Sequence, residues 1–193
     1  IYYITEHEKF LVKILLVDTY YSNFQKAFYK KNKELKNSSY KTQLNRLLAE
    51  SFGTGDSYSY YLQEENIVAK DLIVNCIYLQ KQWAKENNLD FSDLRIRIPH
   101  KFFKIPFIGK SLSSLPGLYD IAKEQINSFK PDILYCQDLS FFSANILKEI
   151  KEETSIKLLV GQIACPLPPK SFIKQFDLIL TSFPHFVDIL NNQ

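Results

Sequence analysis

Two aspartates close apolar runs in this chain, and they are the residues best placed for chemistry. Asp18 ends Val12-Lys13-Ile14-Leu15-Leu16-Val17, and Asp138 stands just past Ile133-Leu134-Tyr135-Cys136. A carboxylate at a cleft can take the proton of an acceptor hydroxyl, which is general-base work. The plainer role is capping: Asp138 precedes Leu-Ser-Phe-Phe, where a carboxylate can cap the next helix. The turn Gly53-Thr54-Gly55-Asp56-Ser57 opens a helix. Backbone N–H groups at such a start can hold a phosphate. It is no Walker A loop, because Gly-Lys-Ser/Thr is missing. G-x-G-x-x-G is incomplete because position 58 is Tyr. The structural alternative is a helix stop and restart, with glycines admitting positive φ. His185 follows Pro184 and suits a sugar hydroxyl or an acceptor; otherwise it simply begins a helix. No Cys/His spacing supports a metal.

One segment is both basic and aromatic. Arg95, Arg97, Lys101, Lys104 and Lys110 alternate with Phe102, Phe103, Ile105, Phe107 and Ile108, and no acid interrupts them. It suits anionic lipid or a phosphate-bearing acceptor, giving peripheral contact at the inner membrane face through Arg95 to Lys110. Equally, its apolar side can cover the sheet while the lysines stay solvated. Over the whole chain the charge is only +3, so a nucleic-acid partner is not expected. Apolar residues make up 46% and charged residues 23% of the 193, which excludes a disordered tail or a fibre. Cys76, Cys136 and Cys165 are few and far apart, without a C-x-x-C pair. A reducing cytosol is therefore the expected compartment. No apolar run reaches the length of a membrane span.

These residues need elements to hold them. Apolar runs predict strands at 12–17, 68–74, 133–136, 157–160 and 177–180. Helical spacing fills the intervals at about 24–33, 40–52, 58–65, 77–87, 117–129, 143–153 and 170–175. Ser38 or Ser39 reads as an N-cap and Asn66 as a residue just past a helix end. Tyr58, Tyr61 and Leu62 are expected on the inner side of their helix. Leu94 to Ile98 alternates as a half-exposed strand, and Pro99, Pro106 and Pro116 punctuate the stretch after it. Strand alternating with helix predicts an α/β fold with an open parallel sheet flanked by helices. Ligands of such sheets sit beyond the carboxyl ends of the strands, here Asp18, Asn75, Asp138, Gln162 and 182–185.

Five stretches together resemble the N-terminal half of GT-B glycosyltransferases, and more narrowly the bacterial family related to the spore-maturation protein CgeB. They are Lys13-Ile-Leu-Leu-Val-Asp-Thr-Tyr-Tyr21, Phe52-Gly-Thr-Gly-Asp-Ser57, Pro131-Asp-Ile-Leu-Tyr-Cys-Gln-Asp-Leu139, Val160-Gly-Gln-Ile-Ala-Cys-Pro-Leu-Pro-Pro169 and Asp177-Leu-Ile-Leu-Thr-Ser-Phe-Pro-His185. The resemblance implies a Rossmann-like acceptor-side domain over residues 1–193, with a helical insertion at about 22–52. A second, donor-binding domain is expected in the parent protein. The chain has no methionine and stops in a helical run at 186–192, so we read it as part of a longer protein. The implied activity moves a sugar from a nucleotide-sugar, a substrate and not a cofactor, to a hydroxyl of a glycan or other acceptor. Asp138 and Asp18 are the catalytic candidates. Gly53, Thr54, Gly55, Gln162, His185 and Tyr20 are the substrate-binding candidates, and no metal is expected. The competing reading is a non-catalytic binding module of the same fold. A phospho-receiver ranks lower, because Asp18 is followed by Thr and Tyr where paired acids are needed.

Overall fold

The computed structural model describes residues 11–89 and 117–192. The expected strand at 94–98, the basic segment at 95–110, Pro99, Pro106 and Pro116, and His7 and His100 lie outside the described residues.

Among the described residues five strands form one sheet: β1 (Lys13–Asp18), β2 (Val68–Ile73), β3 (Ile133–Cys136), β4 (Leu158–Ile163) and β5 (Leu178–Thr181). Their order is β2-β1-β3-β4-β5, and every neighbouring pair is parallel. The architecture is thus α/β and Rossmann-like. The helices are α1 (Ser22–Lys31), α2 (Tyr40–Leu48), α3 (Ser57–Glu64), α4 (Ile77–Glu86), α5 (Leu118–Phe129), α6 (Ala144–Glu153), α7 (Lys170–Ile173) and α8 (Pro184–Asn191), with a 3-10 turn at Lys33–Asn37.

Side chains of a strand alternate between faces, and the core divides accordingly. Leu15, Val17, Leu72, Val74, Leu134, Cys136 and Leu159 pack with Ile126 of α5 and Leu147 and Ile150 of α6. Ile73, on the other face, joins Tyr20, Phe28, Tyr29, Leu47, Cys76 and Leu79. Each such fully buried Leu or Ile removes apolar surface worth roughly 1.5–3 kcal/mol from water. Residues 22–52 therefore supply much of one core layer. Tyr29 is buried there, and its hydroxyl donates to Gln43 Oε1 at 2.9 Å.

Helix ends follow local chemistry. Ser39 caps α2 by accepting from Thr42 N–H at 3.2 Å. Ser143 caps α6 by accepting from Ile146 N–H at 3.3 Å. Both are ordinary N-cap residues. Asp138 therefore does not cap α6. Asn66 sits at φ 60° beyond α3. Its N–H reaches Gln63 O, and the Ile67 N–H reaches Leu62 O, closing a Schellman motif.

Two expectations differ from the structure. Tyr58 and Tyr61 are exposed on α3 while Ser59 is buried, because Ser59 donates to the Asp71 carboxylate on β2. Strand β4 runs on to Ile163, so Gln162 lies inside the strand and not beyond it. Strand β2 carries charged Lys70 and Asp71. Among the described strands it lies at the sheet edge, where such residues are tolerated. On its outward side Gln63 Nε2 donates to Ala69 O at 3.0 Å and Gln80 Nε2 to Ile73 O at 2.8 Å.

Candidate functional site

Strand β1 connects to β2 on one side of it, while β3 lies on the other. Loops leaving β1 and β3 therefore diverge, and a crevice opens at their carboxyl ends. A cleft of about 570 Å³ occupies that place, lined by Asp18, Thr19, Tyr21, Phe52, Gly53, Thr54, Gln137, Asp138, Ser140, Gln162 and the segment around Cys165 and Pro166. Neither Lys, Arg nor His is among its described lining.

Each wall is fixed by a local cause. The loop after β1 is clamped by Asn75: its Oδ1 accepts from Tyr20 N–H at 2.9 Å, and its Nδ2 donates to Tyr20 O at 2.9 Å. The Tyr20 ring goes inward against Phe24 and Phe52, with 1% of the residue exposed. Tyr20, expected at the substrate, is thus a core residue, and it does not line the cleft.

The two acids are joined through Thr19. Its N–H donates to Asp18 Oδ1 at 2.7 Å, and its hydroxyl donates to Asp138 Oδ2 at 2.8 Å. The remaining Asp138 oxygen accepts from Ser140 N–H at 2.8 Å and Ser140 Oγ at 2.6 Å. Asp138 is therefore held by three donors in an Asx turn. Asp18 Oδ2 makes no hydrogen bond among the described residues. Burial pushes the Asp18 carboxyl up to about 6; the Thr19 N–H opposes this in part and the Asp138 charge adds to it. Asp18 thus keeps one oxygen open with an affinity for protons near neutrality.

Gly53 and Gly55 both take positive φ, at 62° and 54°. A Cβ on Gly53 would lie 4.0 Å from Asp18 Oδ2, so this glycine brings the turn against the carboxylate. Gly55 is buried behind the turn, near Leu48 O and Ser51, and is not part of the lining. Thr54 donates from its hydroxyl to Gln137 Oε1 at 2.8 Å. On the β4 side, Tyr135 OH donates to Gln162 Oε1 at 2.6 Å, and Tyr58 OH approaches the same oxygen at 3.3 Å.

The structure brings together Asp18, Asp138, Gly53, Thr54 and Gln162. His185 stands at the same edge of the sheet but beyond β5, two strands from β3. It is exposed, packs between Phe183 and Phe186, and does not line the cleft. Thr19, Gln137 and Ser140 carry no sequence signal of their own, although Thr19 and Gln137 directly follow strand ends. Among the described residues no group of three His, Cys, Asp or Glu side chains is placed to hold a metal ion. Likewise no described helix is long and apolar enough to cross a membrane. No protein-family model matches the chain, nor does any curated protein or solved structure.

Proposed function

We propose that this domain is the acceptor side of a GT-B-type glycosyltransferase of the CgeB-like kind, and that its switch-point cleft deprotonates an acceptor hydroxyl. The observation that carries the reading is Asp18: a half-buried carboxylate with one open oxygen, aligned by Thr19 and faced by a glycine turn. In the step inferred, Asp18 takes the hydroxyl proton and the acceptor oxygen forms a bond to the anomeric carbon of the donor sugar. The bond from that carbon to the nucleoside diphosphate breaks, and the diphosphate leaves with the electron pair. Asp138 holds the loop through Thr19. The cleft is lined by two carboxylates and no described cation. Such a lining repels a diphosphate, which supports the acceptor side over the donor side. The diphosphate would be neutralised by groups outside this lining, as a second domain would supply.

The test is transfer by the complete protein from a set of nucleotide-sugars, wild type against Asp18→Asn and Asp138→Asn. Loss of a general base costs about 10²–10⁴ in kcat. Turnover unchanged in both variants rejects the reading. A non-catalytic binding module is the second reading, favoured by the engagement of both Asp138 oxygens in bracing the loop. Ligand binding that survives without any transfer would support it.

A further inference from the structure

Two glutamines of the cleft are oriented by hydroxyl groups. Gln162 Oε1 accepts from Tyr135 OH at 2.6 Å and from Tyr58 OH at 3.3 Å. Gln137 Oε1 accepts from Thr54 Oγ1 at 2.8 Å. Contacts of 2.6 and 2.8 Å have the length of O–H···O bonds and are shorter than the usual N–H···O bond. Each amide oxygen is thus turned toward its hydroxyl partner. The nitrogens point away from those hydroxyls, and neither Nε2 makes a hydrogen bond among the described residues. Both residues line the cleft. A carboxamide nitrogen offers two N–H donors and no acceptor.

We infer that the cleft recognises an uncharged vicinal diol, the arrangement found on a pyranose ring, with Gln137 and Gln162 as its specificity-determining donors. This rests on the acceptor-side reading above and names its substrate class. A sugar hydroxyl both donates and accepts. It can give its proton to the open Asp18 Oδ2 and receive an N–H from an amide, so one diol satisfies both kinds of group. An anion would meet Asp18 and Asp138 without a described cation to offset them. An ammonium would find the carboxylates but has no acceptor for the amide donors. Tyr21 is 76% exposed at the lip and stands edge-on to Phe52 at 5.4 Å. Its ring gives the C–H face of a sugar an apolar surface.

The experiment is binding, not turnover. The full chain is titrated with a panel of methyl glycosides of the common hexoses and N-acetylhexosamines, and with inorganic phosphate. Side-chain amide resonances of Gln137 and Gln162 are followed by nitrogen-edited NMR. At least one glycoside should shift both amide resonances, and Gln162→Glu or Gln137→Glu should weaken it by about tenfold by turning a donor into an acceptor. Tyr135→Phe covers the case in which an acidic variant does not fold. It removes the hydroxyl that orients Gln162 and should weaken the same glycoside by about threefold. Glycoside binding indifferent to all three substitutions overturns the inference, as does a panel in which only phosphate binds or nothing binds. Binding that ignores the amides while the complete protein still transfers sugar overturns this inference and leaves the transferase reading standing. Amide-dependent binding by a protein without transfer removes that reading and keeps this one.

Discussion

The Thr19 hydroxyl donates to Asp138 Oδ2 at 2.8 Å, linking the loop after β1 to the loop after β3. These residues are far apart in sequence, and the bond closes one end of the crevice where strand order reverses. Thr19→Val keeps the shape and removes the donor. It is expected to cost about 1 kcal/mol in urea unfolding. It should also lower transfer with little change in the folded far-UV spectrum. Full activity in a destabilised variant would show that the bridge serves stability alone.

Asp71 gives a pH-dependent result. Burial among β2 and α3 pushes its carboxyl up to about 6, with Ser59 donating in opposition and Asp56 and Asp18 adding repulsion. The folded state then holds a proton that the unfolded state has released between about pH 4 and 6, so ionisation costs stability as pH rises through that window. Asp71→Asn should therefore gain stability at about pH 7 and gain little at about pH 4. Urea midpoints of both proteins across this range decide it. A gain of equal size at both ends would assign the effect to packing.

Acid should act in the opposite sense through Asp132 and Asp177. The Lys157 ammonium and the Lys13 N–H hold Asp132 below the ordinary carboxylate range. Asp177, despite some burial, is lowered by Lys151 and the Leu159 N–H. Their contribution is present above the unfolded value and is lost as pH falls through the folded one. Asp177→Asn should narrow the difference in urea midpoint between about pH 5 and 3. An unchanged difference would remove Asp177 from the acid response.

Gly161 lies where β4 passes under Leu139 and Phe176. A Cβ there would clash with Leu139 Cδ2 and come within 2.9 Å of Phe176 Cδ1. Gly161→Ala should destabilise by about 1–3 kcal/mol, because the core has no room to receive the methyl group. Because Leu139 lines the cleft, glycoside affinity should fall as well. A variant as stable as wild type would mean that Leu139 has a second packed position.

Cys165 reports on the cleft. Cys76 and Cys136 are buried, and Cys165 is the exposed thiol of the three. A thiol reagent should label one equivalent rapidly, and a bound ligand should slow that labelling because Cys165 is part of the lining. Labelling at the same rate with ligand saturating would place the ligand elsewhere.

Much of this architecture is legible in the residues. Four strands, β1, β2, β3 and β5, lie within a residue of where their apolar runs predict; for β1 and β3, inside the sheet, the reason is that strands covered on both faces carry nearly continuous apolar residues. Strand β4 reads short in sequence because Gly161 and Gln162 look like an ending; pairing with β5 carries it on. The inner face of α3 is hidden because Tyr58 and Tyr61 repeat at helical spacing, whereas burial there is decided by the need of Asp71 for a hydroxyl. The acids of the site are visible as polar residues ending apolar runs. Their partners are not, because the bonds Thr19 to Asp138 and Thr54 to Gln137 join segments that only the folded sheet makes neighbours. Tyr20 shows the converse: a tyrosine close to a site residue in sequence turns into the core when its backbone is clamped by Asn75.

The glutamines on the outer side of β2 have a consequence for solubility. In that parallel strand Ala69, Asp71 and Ile73 direct their backbone groups away from β1, and two of those carbonyls are already occupied by Gln63 and Gln80. A stray strand seeking to zip onto this border would find two of its acceptors taken. Among the described residues, the opposite border leaves Leu178 and Leu180 of β5 half bare to water, and fibril growth under stress is expected to begin there.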